Sequence, residues 1–152
     1  MSAANPIILY AEDEPDDVFF MQVAFRRSGL AHILRVVENG DQAIAYLSGK
    51  PPFQDSNANP LPAIILLDVN LPLRSGFDVL EWLRGQDELR NVTVVMFSSS
   101  GRPEDRSRAN ALGANDYILK PTSGVSFTDV ARYLKQRWLG PREPSASESV
   151  PS

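Results

Sequence analysis

Two adjacent acids at Glu12 and Asp13, a third at Asp68, hydroxyls at Ser98 and Ser99 and an ammonium at Lys120 could act together chemically. Each group lies just after a short, largely apolar run: residues 7–10, 64–67, 92–97 and 116–119. Three carboxylates brought together without a counterion repel one another and resist ionising together. A hard divalent cation resolves this. The donors are oxygens and the chain has no cysteine and one histidine, so the expected ion is Mg2+, held by one or two of these carboxylates with waters. Lys120 offers a positive charge suited to a phosphate oxygen, and Ser98 offers a hydroxyl that can donate to one. That set permits nucleophilic catalysis by a carboxylate. Asp68 would attack a phosphoryl group and form an aspartyl-phosphate, with the surrounding cations neutralising the non-bridging oxygens.

Positioning such a set requires that the apolar runs be strands of one sheet. The run at 64–67 has no polar break, as expected of a strand buried on both faces, and it ends in Asp68. A charge drawn toward a core costs several kcal/mol, on the order of what one ion loses in hydration, unless something compensates it. Strands are expected at 7–10, 32–37, 63–67, 92–97 and 116–119, the second more mixed and nearer an edge. Helices follow each of them. The first starts at Pro15, with Val18, Met21 and Phe25 on one face and Phe19 and Val23 beside it; Asp16 and Asp17 suit the positive end of its dipole. The last places Val130, Leu134 and Trp138 at i, i+4, i+8. Alternation of this kind predicts an α/β fold: a single doubly wound, five-stranded parallel sheet flanked by five helices. Its ligand rim is the carboxyl end of the strands, where all the polar groups above would meet.

At 152 residues the chain suits one domain, read as a loose end over 1–5, a compact unit over 6–139 and a Pro/Ser/Glu-rich disordered tail over 140–152. A net charge of −4 argues against nucleic-acid and anionic-membrane binding. The absence of cysteine excludes disulfides and thiolate chemistry. No apolar run reaches the ~20 residues of a membrane span and no signal-peptide pattern opens the chain, so a cytoplasmic location is expected.

These motifs, in this order, resemble the receiver domain of two-component response regulators, over about residues 7–138. The residues from Ile8 to Asp17, Ile-Leu-Tyr-Ala-Glu-Asp-Glu-Pro-Asp-Asp, resemble its first strand and acidic pair. Ile-Leu-Leu-Asp-Val-Asn-Leu-Pro, from Ile65 to Pro72, resembles its phospho-acceptor motif, with Gly76 in place. Ser98 stands where the family has Thr or Ser, and Gly-Ala-Asn-Asp-Tyr-Ile-Leu-Lys-Pro, from Gly113 to Pro121, resembles its last motif. The resemblance implies a flavodoxin-like receiver fold with Asp68 as phospho-acceptor. Asp13, Asp68 and the carbonyl of Asn70 would bind Mg2+ directly and Glu12 through water. Lys120, Ser98 and Ser99 would hold the phosphoryl group, with Tyr117 changing rotamer when Ser98 moves. Asn70 and Ser100 would tune the lifetime of the phosphorylated state, and a cis Lys120–Pro121 bond would aim the lysine. Ser98 departs from the commoner Thr, which frees its rotamers.

The implied function is a stand-alone receiver that takes a phosphoryl group from a sensor histidine kinase. It would not be an enzyme on other substrates, although it catalyses its own phosphorylation and dephosphorylation. The long loop over 50–62 and the spelling Glu-Asp-Glu-Pro-Asp-Asp are similar to regulators paired with bacterial phytochromes. No segment after Trp138 suits an output domain, so output is expected as a surface change around helix four, strand five and helix five. A homodimer through that face is a further expectation, from Tyr133, Leu134, Trp138 and Leu139. The alternatives are a pure interaction module that has lost phosphorylation, a phosphorelay intermediate, a phosphate sink, or a Mg-dependent small-molecule phosphatase. The last lacks a cap domain and has Asn70 where a second acid would stand. Each residue also has a plainer reading. Glu12 and Asp13 can be helix-cap acids, Asp68 a turn cap, Lys120 a solvated lysine, Ser98 to Ser100 a Ser-rich turn and Tyr117 a strand aromatic. His32 reads as structural. The Arg102, Arg106 and Arg108 group reads as a solvated helix face, or as a docking surface.

Overall fold

A computed structural model describes residues 6–139 of the chain. The expectations for 1–5 and 140–152 lie outside the described residues. Five strands alternate with five helices: β1 (Ile8–Ala11), α1 (Pro15–Arg27), β2 (Leu34–Val37), α2 (Gly40–Ser48), β3 (Ile64–Asp68), α3 (Gly76–Arg84), β4 (Thr93–Ser98), α4 (Pro103–Ala111), β5 (Asp116–Leu119) and α5 (Phe127–Trp138). The strands form one parallel sheet in the order β2-β1-β3-β4-β5, so the mixed second strand is at an edge and the apolar third is central. This is the expected flavodoxin-like, doubly wound arrangement.

Because side chains alternate along a strand, each strand feeds two separate cores. Leu9, Ala11, Ile65, Leu67, Val94 and Met96 pack with α2, α3 and Ala109 of α4. Ile8, Tyr10, Ile64, Leu66, Val95 and Phe97 pack with α1 and α5. Register extends this pattern across the sheet. Ala11 pairs with Leu67, Leu67 with Met96 and Met96 with Tyr117, so the strands end almost level.

Two details differ from the periodicity reading. Residues 31–33 form a 3-10 turn and the second strand begins only at Leu34, because Gly29 in the left-handed region (φ +74°) turns the chain and Leu30 N–H bonds back to Phe25 O at 2.7 Å. Phe19 is 58% exposed; α1 buries Met21, Ala24 and Phe25 instead.

Helix starts at the rim are fixed locally. Ser75 and Asp78 form a capping box that begins α3 just after β3, and Asn39 Oδ1 accepts from Gln42 N–H at 2.7 Å to begin α2. Gly76 is required there, since a Cβ would lie 2.2 Å from the carbonyl oxygen of Asp68. At the opposite end of the sheet, Arg84 gives all its N–H groups to Gly113 O, Arg90 O, Val92 O and Asn115 Oδ1, at 2.7–3.0 Å. Asn115 Oδ1 also accepts from Val94 N–H at 2.8 Å. Gly113 can turn beside this guanidinium because it tolerates φ +99°.

Candidate functional site

The level strand ends put Glu12 and Asp68 in one row of the sheet, with Phe97 and Ile118. The alternation that sends Tyr10 and Leu66 to the α1/α5 side sends Glu12 and Asp68 there too. Ser98, one residue beyond Phe97, falls on the α3/α4 side, as does Tyr117. Lys120 follows β5 and is tied back by its N–H to Ser98 O at 2.8 Å. The acids and the ammonium therefore occupy one side of β4, and Ser98 and Tyr117 the other.

Lys120 Nζ lies 2.9 Å from Glu12 Oε1, 2.9 Å from Asp17 Oδ2 and 3.2 Å from Asp68 Oδ2. Glu12 is fully buried, Asp68 is 3% exposed, and Asp13 is exposed. Carboxylate oxygens of Glu12, Asp13 and Asp68 all lie within 4.8 Å of one another. Glu12 is also held by the Tyr10 hydroxyl at 3.1 Å and the Glu14 N–H at 3.2 Å. Asp68 Oδ1 accepts from the Asn70 N–H at 3.2 Å, so the chain turns back on the acid as soon as β3 ends.

Burial and the charge of Asp68 push the Glu12 carboxyl up to about 7, against the pull of Lys120. Burial alone would lower the Lys120 ammonium, but hydrogen bonds to Glu12 and Asp17 and the charges of Asp68 and Glu12 outweigh it and leave it raised. Burial, then the charge of Glu12, raises the Tyr10 hydroxyl, which stays a donor. Three carboxylates thus contact one ammonium and a fourth, Asp13, lies beside two of them, an excess of negative charge that a divalent cation would offset. The donor set fits such an ion: oxygens only, with one exposed member, Asp13, open to solvent.

On the other side of β4, Ser98 Oγ is buried and accepts from Ser100 N–H at 3.0 Å, which leaves its hydrogen to donate elsewhere. Ser100 Oγ donates to Asp105 Oδ2 in the first turn of α4 at 2.5 Å. The Tyr117 hydroxyl donates to Ser100 O at 2.8 Å, and its ring lies under the Arg106 guanidinium. Arg108 stacks on Phe77, so of the three arginines read as a solvated face, two cover aromatic rings. Ser99 and Asn70 are exposed at the rim.

The structure brings Glu12, Asp13, Asp68 and Lys120 together as expected, with Ser98 and Tyr117 adjacent across β4. It corrects one expectation: among the described residues the only cis peptide bond is Pro51–Pro52, and Lys120–Pro121 is trans. The lysine reaches three carboxylates without the cis form, and trans is the ordinary preference of an X–Pro bond. Sequence reasoning missed two members. Asp17 has a sufficient local reason in the dipole of α1, although it follows Asp13 at i+4 and lies on the first turn of that helix. Tyr10 reads as a core residue, although it is two residues before Glu12 and so on the same strand face.

Comparison with known proteins is consistent with this geometry. The model of the response regulator receiver domain matches residues 8–132. The chain is 30% identical over 141 residues to the probable methanogenesis regulatory protein FilR2 of Methanothrix harundinacea, covering 92% of this chain and 88% of that protein. It superposes on response regulator RPA3017 in red light signaling of R. palustris with a TM-score of 0.82, at 30% identity over 95% of this chain and 99% of that one. It superposes on the Mn(2+)-bound form of response regulator Rcp1, a protein of Synechocystis sp., with a TM-score of 0.78, at 25% identity over 97% and 99% of the two chains.

Proposed function

Since the chain belongs to the response regulator receiver domain family, whose members accept a phosphoryl group from a histidine kinase, we propose that Asp68 is its acceptor. The observation that carries this reading is the convergence of Lys120 Nζ on Asp68 and Glu12, beside an acid triad whose oxygens lie within 4.8 Å of one another. An Asp68 oxygen attacks the phosphorus as the bond to the donor imidazole nitrogen breaks, and the imidazole takes up a proton. Lys120 turns from its carboxylates to a phosphoryl oxygen. Ser98 donates its hydroxyl to another, with Ser99 beside it at the mouth. Tyr117, tied to the backbone of Ser100, follows the displacement of the β4–α4 turn. Asn70 and Ser100, next to the acceptor and the switch hydroxyl, tune how long the phosphoryl group stays.

Glu12, Asp13, Asp68 and the Asn70 carbonyl would hold the divalent cation of the family. When bound it neutralises the phosphoryl oxygens; the oxygen-only donor set favours Mg2+. A bacteriophytochrome is the proposed kinase partner, supported by the likeness to regulators of red-light and phytochrome systems, and a cytoplasmic location follows from that partnership. Residues 6–139 form the proposed receiver unit. Of the residues that motivated self-association only Tyr133 is exposed, since Leu134 is buried and Trp138 and Leu139 pack against the α1/α5 core; Tyr133 and the exposed Leu119 mark the α4–β5–α5 face proposed for it, which scattering with and without phosphate would test.

The test of the acceptor is phosphorylation with Mg2+ and acetyl phosphate. A hydroxylamine-labile phosphate on the native chain, absent from Asp68→Asn, is expected. A phosphate that persists unchanged in Asp68→Asn removes the assignment.

A further inference from the structure

The Lys120 ammonium has three donors, and in this structure each has a carboxylate: Glu12, Asp17 and Asp68. A phosphoryl oxygen can reach Lys120 only if one of these gives way. Two of the three have other partners in a loaded site. Asp68 loses its anionic charge at the oxygen that becomes esterified. Glu12 belongs to the acid triad and is held by Tyr10 and Glu14 whatever Lys120 does. Asp17 is different. It lies outside the triad, on the first turn of α1, and is 22% exposed. Its hydrogen bond to Lys120, at 2.9 Å, is its one contact within the cluster.

We propose that Asp17 is a positioning residue that competes with the phosphoryl group for the Lys120 ammonium, and so sets how tightly the site holds that group. The inference rests on the acceptor reading above. Asp17 opposes phosphoryl capture in two ways. It holds the ammonium away from an arriving anion, and it adds a like charge beside that anion. An asparagine would keep an oxygen that can accept from Lys120 while removing the charge. The helix-dipole role of Asp17 is not what competes: loss of a dipole contact changes the stability of α1, not the affinity of the rim for an anion.

The test is a titration of full-length protein with fluoroberyllate, a phosphoryl mimic, at saturating Mg2+. Bound fluoroberyllate is counted by 19F NMR, and melting is recorded in parallel. Asp17→Asn should bind about three- to tenfold more tightly than the native chain, the scale of one partly screened like charge. Asp17→Ser should also bind more tightly, and it serves if the asparagine variant does not fold. Asp17→Glu, which restores the charge, should return affinity toward the native value. Affinity of Asp17→Asn within twofold of native, or weaker, overturns the inference, whatever the melting temperature does. Fluoroberyllate binding that survives in Asp68→Asn would instead overturn the acceptor assignment, and this inference with it.

Discussion

Replacing Lys120 with methionine removes the ammonium that three carboxylates contact while keeping most of the side chain's volume. Removing one partner of a buried ion pair costs about 3–5 kcal/mol. Here the lysine side chain is 13% exposed and its Glu12 and Asp68 partners 0% and 4%, so that range applies to them. Asp17, at 22%, is more nearly solvated, and its share is under about 1 kcal/mol. The loss is limited because Glu12 can take up a proton. We therefore expect Lys120→Met to lose about 3 kcal/mol at pH 7 without divalent cation. The pH dependence distinguishes this from simple loss of packing. Glu12 in the folded native chain titrates near 7, above its unfolded value of 4.5, so the folded state holds the proton more tightly. That contribution is complete below the unfolded value and is lost as pH rises to about 7, where the native curve flattens. Without Lys120 the folded value rises further, so the variant goes on losing stability above pH 7, by up to about 1.4 kcal/mol per unit. The two stability curves should run parallel from pH 5 to 7 and diverge from 7 to 8.5, with Mg2+ narrowing the gap. Urea unfolding followed by circular dichroism measures this. A gap that stays constant or shrinks above pH 7 would refute the reasoning.

Two other outcomes follow from the same geometry. Cation binding requires Glu12 to be ionised, so apparent Mg2+ affinity should rise by up to about tenfold per pH unit below 7 and level off above it; calorimetry in buffers of different ionisation enthalpy should detect the released proton. Gly76→Ala places a methyl 2.2 Å from the Asp68 carbonyl oxygen, so a loss of at least about 3 kcal/mol in thermal unfolding is expected, with slower phosphorylation from acetyl phosphate.

The fold was legible because the chain announces it twice: unbroken apolar runs such as 64–67 fix the central strand, and the polar residue after each run fixes the rim. Glu12, Asp68 and Lys120 could be grouped from topology alone, since parallel strands end on one side. Their separation from Ser98 and Tyr117 across β4 needed the register, in which Asp68 pairs with Phe97 and not with Ser98. Asp17 was hidden because a sufficient local cause, the start of α1, explained an acid there, while its partner lies 103 positions away. Phe19 was misplaced because α1 turns Met21, Ala24 and Phe25 inward, and a neighbouring aromatic adds to the apparent apolar face without sharing it.

The guanidinium of Arg84 fastens the trailing end of α4 to α3 through main-chain oxygens rather than through a carboxylate. Carbonyl groups neither titrate nor dissociate, so the attachment is indifferent to acidity and little affected by salt. In the proposed switch it would serve as a fulcrum. A displacement started beside Ser98 would lever α4 about Gly113, with its amplitude greatest at Pro103 and fading along the helix. Any molecule that reads the state of the domain would find the clearest difference at the leading turn, around Arg102 and Arg106.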